Sequence, residues 1–169
     1  MSHIERFLQG ETVFDCPDFS IRHDQVELED GRRSRRETIC RPDQVLLLLL
    51  QGGSVLLKET QRPALGGQFL EAPCAPIEAG QSAEQAALRL NSGGPVRFVG
   101  LLRPSPAILR EKVYVFAARR PEDPPSGWQA VPLASWEDWT ARGQIKDMRL
   151  AGALTLAGAG GFLEQEAEE

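Results

Sequence analysis

The sequence predicts a mixed α/β fold in which two layers of helix cover a mixed sheet. The first observation is the uninterrupted apolar run VLLLLL at 45–50, which is typical of a strand buried on both faces. The second is the alternation of apolar and polar residues over 12–28, which is typical of a half-buried strand. The third is the position of the helix signals, which come after residue 82 and again near the C-terminus, with strand patterns between them.

The first forty residues predict a small antiparallel sheet. Residues 1–10 are expected to form a frayed start or a short helical turn. Strand patterns then cover 12–28, broken at Pro17, and the turn sequence EDG at 29–31 leads back into a short strand at 37–40. Four arginines follow this turn, at positions 32, 33, 35 and 36. They are interpreted either as solvated side chains of a hairpin or as a phosphate-binding cluster.

The middle of the chain predicts a hairpin and then a strand, a loop and a helix. Strands at 45–50 and 55–59 flank the turn sequence QGGS, and a loop at 62–67 leads to a short strand at 69–71. Ser82 is a good helix N-cap, and Gln85 three residues later completes a capping box for a helix over 83–90. The sequence NSGGP at 91–95 ends this helix.

The last third predicts three strands and two helices. The strands lie at 96–102, 111–118 and 128–132, with a surface loop at 121–127. In the second of them, Val113, Val115 and Ala117 share one face and Tyr114 and Phe116 the other. Ser135 is expected to cap a helix over 136–142, and a further helix is expected over 146–157. The chain is thus divided into N-terminal strands at 1–40, a main domain at 41–157 and a mobile acidic tail at 158–169.

Composition excludes several classes of function. The 169 residues carry a formal net charge of -5, which disfavours non-specific binding to nucleic acid or to an anionic membrane. Three cysteines, Cys16, Cys40 and Cys74, show no metal-binding spacing and suit a reducing compartment. No apolar run is long enough for a membrane span, and the start lacks the apolar core of a signal peptide. A cytoplasmic protein with no nucleic-acid or membrane partner is expected.

Several short segments resemble a known family. Residues 70–75 (LEAPCA), 77–81 (IEAGQ) and 86–89 (AALR) resemble the strand end, loop and helix of a Nudix box, G-x5-E-x7-R-E-U-x-E-E-x-G-U, where U is a bulky aliphatic residue. The segments QRP at 61–63, SP at 105–106, EKVYVF at 111–116 and IKD at 145–147 are similar to other parts of the ADP-ribose pyrophosphatase branch of that family.

The resemblance implies a fold, an activity and a partner. The fold is the Nudix-type α/β/α sandwich with a mixed sheet, plus a small N-terminal antiparallel sheet. The activity is hydrolysis of nucleoside-diphosphate derivatives such as ADP-ribose, assisted by Mg²⁺ or Mn²⁺. The turn at Asp30-Gly31 resembles the part of the N-terminal sheet through which members of this branch form homodimers.

The box itself departs from the family pattern. Ala75 stands in place of the box glycine and Gln81 in place of the first box glutamate. Arg89 is followed by Leu90, and the segment NSGG at 91–94 holds no acid where the family has two glutamates. The glutamates that bind metal in the family are therefore missing, and the remnants of the box are Ala75, Glu78, Gly80, Gln81, Glu84 and Arg89.

The residues that are left define the candidate site. The resemblance places Arg62 and Glu71 near the substrate and Glu111 at a loop position that supplies a catalytic acid in some relatives. Glu71 and Glu84 are the candidates for metal binding, although Glu84 also fits a solvent-facing helix residue. Arg89 is expected to be structural, with Gln81 as its hydrogen-bond acceptor.

Three hypotheses for function remain open. The first is a catalytically inactive or impaired Nudix-fold protein that binds a nucleotide-like ligand or acts as a regulator, without need of a cofactor. The second is an active, Mg-dependent nucleoside-diphosphate-sugar pyrophosphatase in which Glu71, Glu78, Glu84 and Glu111 form a rearranged acidic site. The third is a homodimeric structural scaffold.

Overall fold

The computed structural model describes residues 4–120 and 126–162. The chain divides into two compact units, and each is described by itself. The first unit contains residues 1–42 and 103–112 and the second contains residues 43–102 and 113–169, within the described ranges. The predicted surface loop falls partly on 121–125 and the predicted mobile tail partly on 163–169, and these positions lie outside the described residues.

Strands dominate the described chain, and three α-helices accompany them. In chain order the elements are β1 (Arg6–Asp15), β2 (Ser20–Glu27), β3 (Arg33–Cys40), β4 (Gln44–Gln51), β5 (Ser54–Arg62), β6 (Gly67–Glu71), β7 (Cys74–Pro76), α1 (Ala83–Leu90), β8 (Arg97–Leu102), β9 (Leu109–Arg110), β10 (Val113–Arg119), β11 (Trp128–Pro132), α2 (Trp136–Ala141) and α3 (Met148–Ala159). No helix among the described residues is both long and apolar enough to cross a membrane.

The first unit is a four-stranded sheet with the order β1-β2-β3-β9. Its long hairpins are antiparallel, as the sequence predicts, and the short β9 joins β3 in parallel. The turn predicted at 29–31 is confirmed, with Gly31 at a φ of 78° in the left-handed region that glycine tolerates.

The expectation of a frayed or helical start at 1–10 is wrong for the described part of that segment. β1 begins at Arg6, which pairs with Glu27 of β2 in register and through an ion pair of 2.9 Å. Irregularities in the register between Phe7 and Gln9, and between Thr12 and Phe14, interrupt the strict alternation. The irregularity between Phe7 and Gln9 lies within the misassigned segment, where it weakens the periodic signal of a strand.

The second unit is built on a seven-stranded sheet. Its main order is β11-β5-β4-β10-β8, with β6 paired to β5 and β7 paired to β4. β4 and β10 run parallel at the centre, and the other pairs are antiparallel. The prediction of a strand buried on both faces is confirmed, because every residue from Gln44 to Leu50 is buried.

Helices cover both faces of this sheet. Leu46, Leu48 and Leu50 pack in one cluster with the buried face of α3, whereas Val45, Leu47 and Leu49 pack in a second cluster with α1. The predicted faces of β10 are confirmed as well, since Val113, Val115 and Ala117 belong to the first cluster and Phe116 to the second. The second unit is therefore a three-layer α/β/α sandwich, as predicted.

The two predicted serine caps differ in the structure. Ser82 forms the capping box of α1 with Gln85. Ser135 stands at the N-cap of α2, but its side chain makes no capping hydrogen bond. Residues 133–135 form a 3-10 turn that runs directly into α2. The backbone is therefore already helical before α2 begins, and Ser135 belongs to that turn.

Candidate functional site

The segment from β6 through β7 to α1 forms a strand–loop–helix on the central sheet. β7 pairs antiparallel with β4 and sets Ala75 opposite Val45. The amide of Leu47 also donates to the carbonyl of Pro73 at 2.9 Å. The first part of the predicted box is thus fixed against the most buried strand, although its glycine position carries alanine.

The start of α1 is held by reciprocal hydrogen bonds. The amide of Gln85 donates to Ser82 Oγ at 3.1 Å, and the amide of Ser82 donates to Gln85 Oε1 at 2.8 Å. Before it, Gly80 turns the chain with a φ of 80°. Glu84 lies in the first turn of α1 and is exposed, where a carboxylate is favoured by the helix dipole.

Arg89 braces the loop before α1. Its guanidinium forms an ion pair with Glu78 and donates to the carbonyl of Pro76 at 3.3 Å. Contrary to the expectation from the sequence, Arg89 does not donate to Gln81. Gln81 Oε1 instead accepts from the amide of Glu78 at 3.2 Å. Glu78, Gln81 and Arg89 therefore stabilise the shape of the loop.

Arg62 and Glu71, both predicted to lie near the substrate, bind each other. Arg62 Nε donates to Glu71 Oε1 at 2.8 Å and Nη2 donates to Oε2 at 2.5 Å, so the contact is bidentate. The β5–β6 hairpin brings the two residues to the same place. The Glu71 carboxylate raises the pKa of Arg62 above its ordinary value, chiefly through these hydrogen bonds. Any other ligand of Glu71 must therefore compete with a guanidinium for both oxygens.

A second ion pair stands within electrostatic reach of Arg62. Asp147 caps α3 by accepting from the amide of Arg149 at 2.9 Å, and its other oxygen accepts from Arg149 Nη2 at 2.8 Å. Both of these charges act on Arg62, Arg149 lowering its pKa and Asp147 raising it. We refer to Arg62, Glu71, Asp147 and Arg149 as the charged cluster. The sequence analysis places Asp147 in the expected helix over 146–157, and its proximity to Arg62 depends on the fold.

An aromatic ring and a lysine accompany the charged cluster in the same unit. Lys146 Nζ lies 5.6 Å from the centroid of the Phe69 ring, within the range of a cation–π contact. Phe69 belongs to β6, and Lys146 directly precedes Asp147 in the chain. Neither residue was predicted as part of a site.

Glu111 lies in the first unit and is deeply buried. Its side chain is only 1% exposed, and its Oε1 faces Arg41 Nη1 at 3.5 Å. This oxygen has no hydrogen-bond partner among the described residues. Arg41 is thus the ion-pair partner of this buried side chain, which gives Glu111 a structural role in the first unit.

The residues present do not fit the metal set of the resembled family. Within the described ranges, no group of three or more His, Cys, Asp or Glu side chains is arranged to hold a metal ion. Glu71 and Glu78 are bonded to arginines, and Glu84 is exposed on the helix. Mg²⁺ demands near-ideal octahedral oxygen ligation and dehydrates reluctantly. These separate carboxylates do not provide the set of oxygen ligands that would replace its water.

Comparison with known proteins addresses the fold. No protein-family profile matches the sequence. No curated protein matches it either. A solved structure described as "Crystal structure of ADP compounds hydrolase" matches with a TM-score of 0.76, 20% sequence identity, and coverage of 96% of both chains. The fold is of the Nudix type. At this identity the likeness establishes the fold alone, and the Nudix-type α/β/α sandwich with its additional small sheet agrees with the prediction from the sequence.

Proposed function

We propose that this Nudix-fold protein binds a nucleoside-diphosphate derivative, such as ADP-ribose, without efficient metal-dependent hydrolysis. One observation carries the proposal: two of the acids left around the box are bonded to arginines, and within the described ranges no acids are grouped for a metal. Glu71 is held bidentately by Arg62 and Glu78 is held by Arg89.

The chemistry of diphosphate cleavage explains why this matters. A hydrolase of this kind needs divalent ions that neutralise the developing charge and position a water molecule. Those ions need several hard oxygen ligands aimed at one point. Position 81 supplies an uncharged amide and position 90 an alkyl chain, so a metal would keep most of its own water and bind weakly.

The charged cluster supports the binding half of the proposal. The Arg62 side chain is 47% exposed, and its fork geometry matches phosphate as well as carboxylate. A diphosphate can therefore replace Glu71 as its partner. Phe69 and the exposed Lys146 add an apolar face and a further cation in the same unit. The solved structure with the similar fold is described as acting on ADP compounds, and that chemistry guides the choice of ligand.

Calorimetry with ADP-ribose, and chromatography of the products with Mg²⁺ or Mn²⁺ present, test the proposal. We expect ADP-ribose to bind and to be recovered intact. Arg62→Gln should weaken binding roughly tenfold, the scale of a lost charge-assisted contact, whereas the exposed Arg142→Gln should leave it unchanged.

Two results would overturn the proposal. Absence of ADP-ribose binding to the unmodified protein would remove the ligand-binding half. Metal-dependent release of AMP at ordinary enzymatic rates, lost in Glu71→Gln, would instead establish a working pyrophosphatase with a rearranged site.

A further inference from the structure

The contact between Arg62 and Glu71 crosses the register of the β5–β6 hairpin. That register pairs Arg62 with Gly67, and Glu71 with Lys58. Positions 58, 60 and 62 share one face of β5, because side chains alternate along a strand. The bidentate contact therefore passes the intervening pair at 60 and 69, and each side chain leans toward the other along the hairpin.

The position opposite Arg62 leaves room for a second orientation of its side chain. Gly67 has no side chain, and a Cβ added there would meet no described atom within 4 Å. The Arg62 side chain is 47% exposed, whereas that of Glu71 is 13% exposed. The guanidinium can therefore leave the carboxylate and turn toward solvent, while Glu71 stays in place.

Glu71 offers Arg62 the same kind of partner that a ligand phosphate would offer. A carboxylate and a phosphate both present paired oxygens to the planar fork of a guanidinium. The contact is favourable for the two charges, since the hydrogen bonds to Glu71 raise the pKa of Arg62. An anionic ligand that uses Arg62 must break this contact, and it then lies beside a carboxylate of like charge. Both effects lower the affinity of the site for anions.

We propose that Glu71 is an internal competitor for the ligand diphosphate, and that it occupies the Arg62 fork until the ligand displaces it. The contact is thus autoinhibitory and sets the affinity of the site for a nucleoside diphosphate. A carboxylate on the same hairpin is present at high effective concentration, so an anion that binds the fork no better than a carboxylate is excluded. The inference rests on the proposed function, because it assigns a control of binding to the same site.

Calorimetry on the full chain with ADP-ribose, in buffer without divalent metal, tests the inference. Glu71→Gln keeps the shape of the side chain and removes its charge. We expect this variant to bind ADP-ribose about tenfold more tightly than the unmodified protein, the scale of a charge-assisted contact. Glu59→Gln is the matched control, because Glu59 is an exposed acid of β5 on the opposite face of the same hairpin. That variant should leave the affinity unchanged.

A double variant shows whether the gain in affinity depends on Arg62. Glu71→Gln combined with Arg62→Gln should bind ADP-ribose no more tightly than Arg62→Gln alone, because the two side chains act on the ligand through one contact. A gain that survives the loss of Arg62 would overturn the inference, since it would arise from general repulsion between Glu71 and the ligand.

A second measurement follows the contact in the unmodified protein. The Arg62 Nε–H signal is identified in an NMR spectrum of the arginine side chains by its absence in Arg62→Gln. ADP-ribose should move this signal, because Nε exchanges its Glu71 acceptor for a phosphate oxygen. A signal that stays in place while ADP-ribose is bound contradicts the displacement of Glu71.

The outcomes separate this inference from the proposed function. Binding to the unmodified protein without a gain in Glu71→Gln overturns the inference and leaves the proposed function standing. Binding to Glu71→Gln, with none to the unmodified protein, supports the inference and overturns the ligand-binding half of the proposed function. Absence of binding to both proteins overturns the two together.

Discussion

Replacing Ser82 with alanine removes one half of the capping box that starts α1. The amide of Gln85 loses its acceptor, while the reverse bond from the Ser82 amide to Gln85 Oε1 keeps both of its atoms. Loss of an N-cap side chain costs roughly 0.5–2 kcal/mol in proteins. Because α1 has only eight residues and the donor left behind is exposed to water, we expect a loss of about 1 kcal/mol in the free energy of unfolding.

This loss is measurable. For a chain of this size, about 1 kcal/mol corresponds to a fall of roughly 2–4 °C in Tm. Urea unfolding followed by circular dichroism gives the free energy, and calorimetry gives the Tm. Ser135→Ala is the matched control, because Ser135 occupies the N-cap of α2 without a capping hydrogen bond. We expect that change to stay within about 0.5 kcal/mol. The reasoning is refuted if Ser82→Ala costs no more than Ser135→Ala.

Two more predictions concern the first unit. The Asp30 carboxylate accepts from the amide of Arg32 at 3.0 Å, and this bond above all holds the pKa of Asp30 below its ordinary range. Asp30 therefore contributes stability at pH values above the pKa that it has in the unfolded chain. This contribution is lost as pH falls through the lower pKa that Asp30 has in the folded protein. An NMR titration should find the low pKa largely retained in Arg32→Ala, and a return to the ordinary value would contradict the assignment to the backbone. A homodimer is also expected. Phe7 lies on the edge strand β1 and is 59% exposed, so its ring is a candidate for the contact between the two subunits. In sedimentation experiments Phe7→Ser should raise the dimer dissociation constant at least about tenfold. The control Leu65→Ser, at an exposed apolar residue of the second unit, should leave the dissociation constant unchanged. If the unmodified protein is monomeric, this interface is ruled out.

Local patterns were sufficient to predict most of the second unit. The run at 45–50 has no polar residue, which is typical of a strand covered on both sides. The capping residues of α1 and the alternation in β10 likewise depend on neighbours in the sequence. β7 was not predicted, because its three residues become a strand only through pairing with β4.

The contacts around the candidate site were not predicted, and the sequence singled out only part of the charged cluster. Both Arg62 and Glu71 were singled out from the family resemblance, yet their bidentate bond depends on the hairpin that brings them together. The contact between Arg89 and Glu78 depends on the loop conformation before α1. Asp147 and Arg149 reach Arg62 only through tertiary structure, which no spacing in the sequence indicates.

The burial of β4 from Gln44 to Leu50 has a consequence for how the chain folds during synthesis. An uncharged apolar strand is prone to aggregate whenever its edges are unpaired. The hairpin to β5 follows at once through the turn at 51–54, but it pairs only the last three residues of β4, and β7 pairs with the first three. The other edge waits for β10, which begins only at Val113. The nascent chain therefore exposes one unpaired edge of its most apolar strand until β10 has left the ribosome, and during that time the strand is open to aggregation.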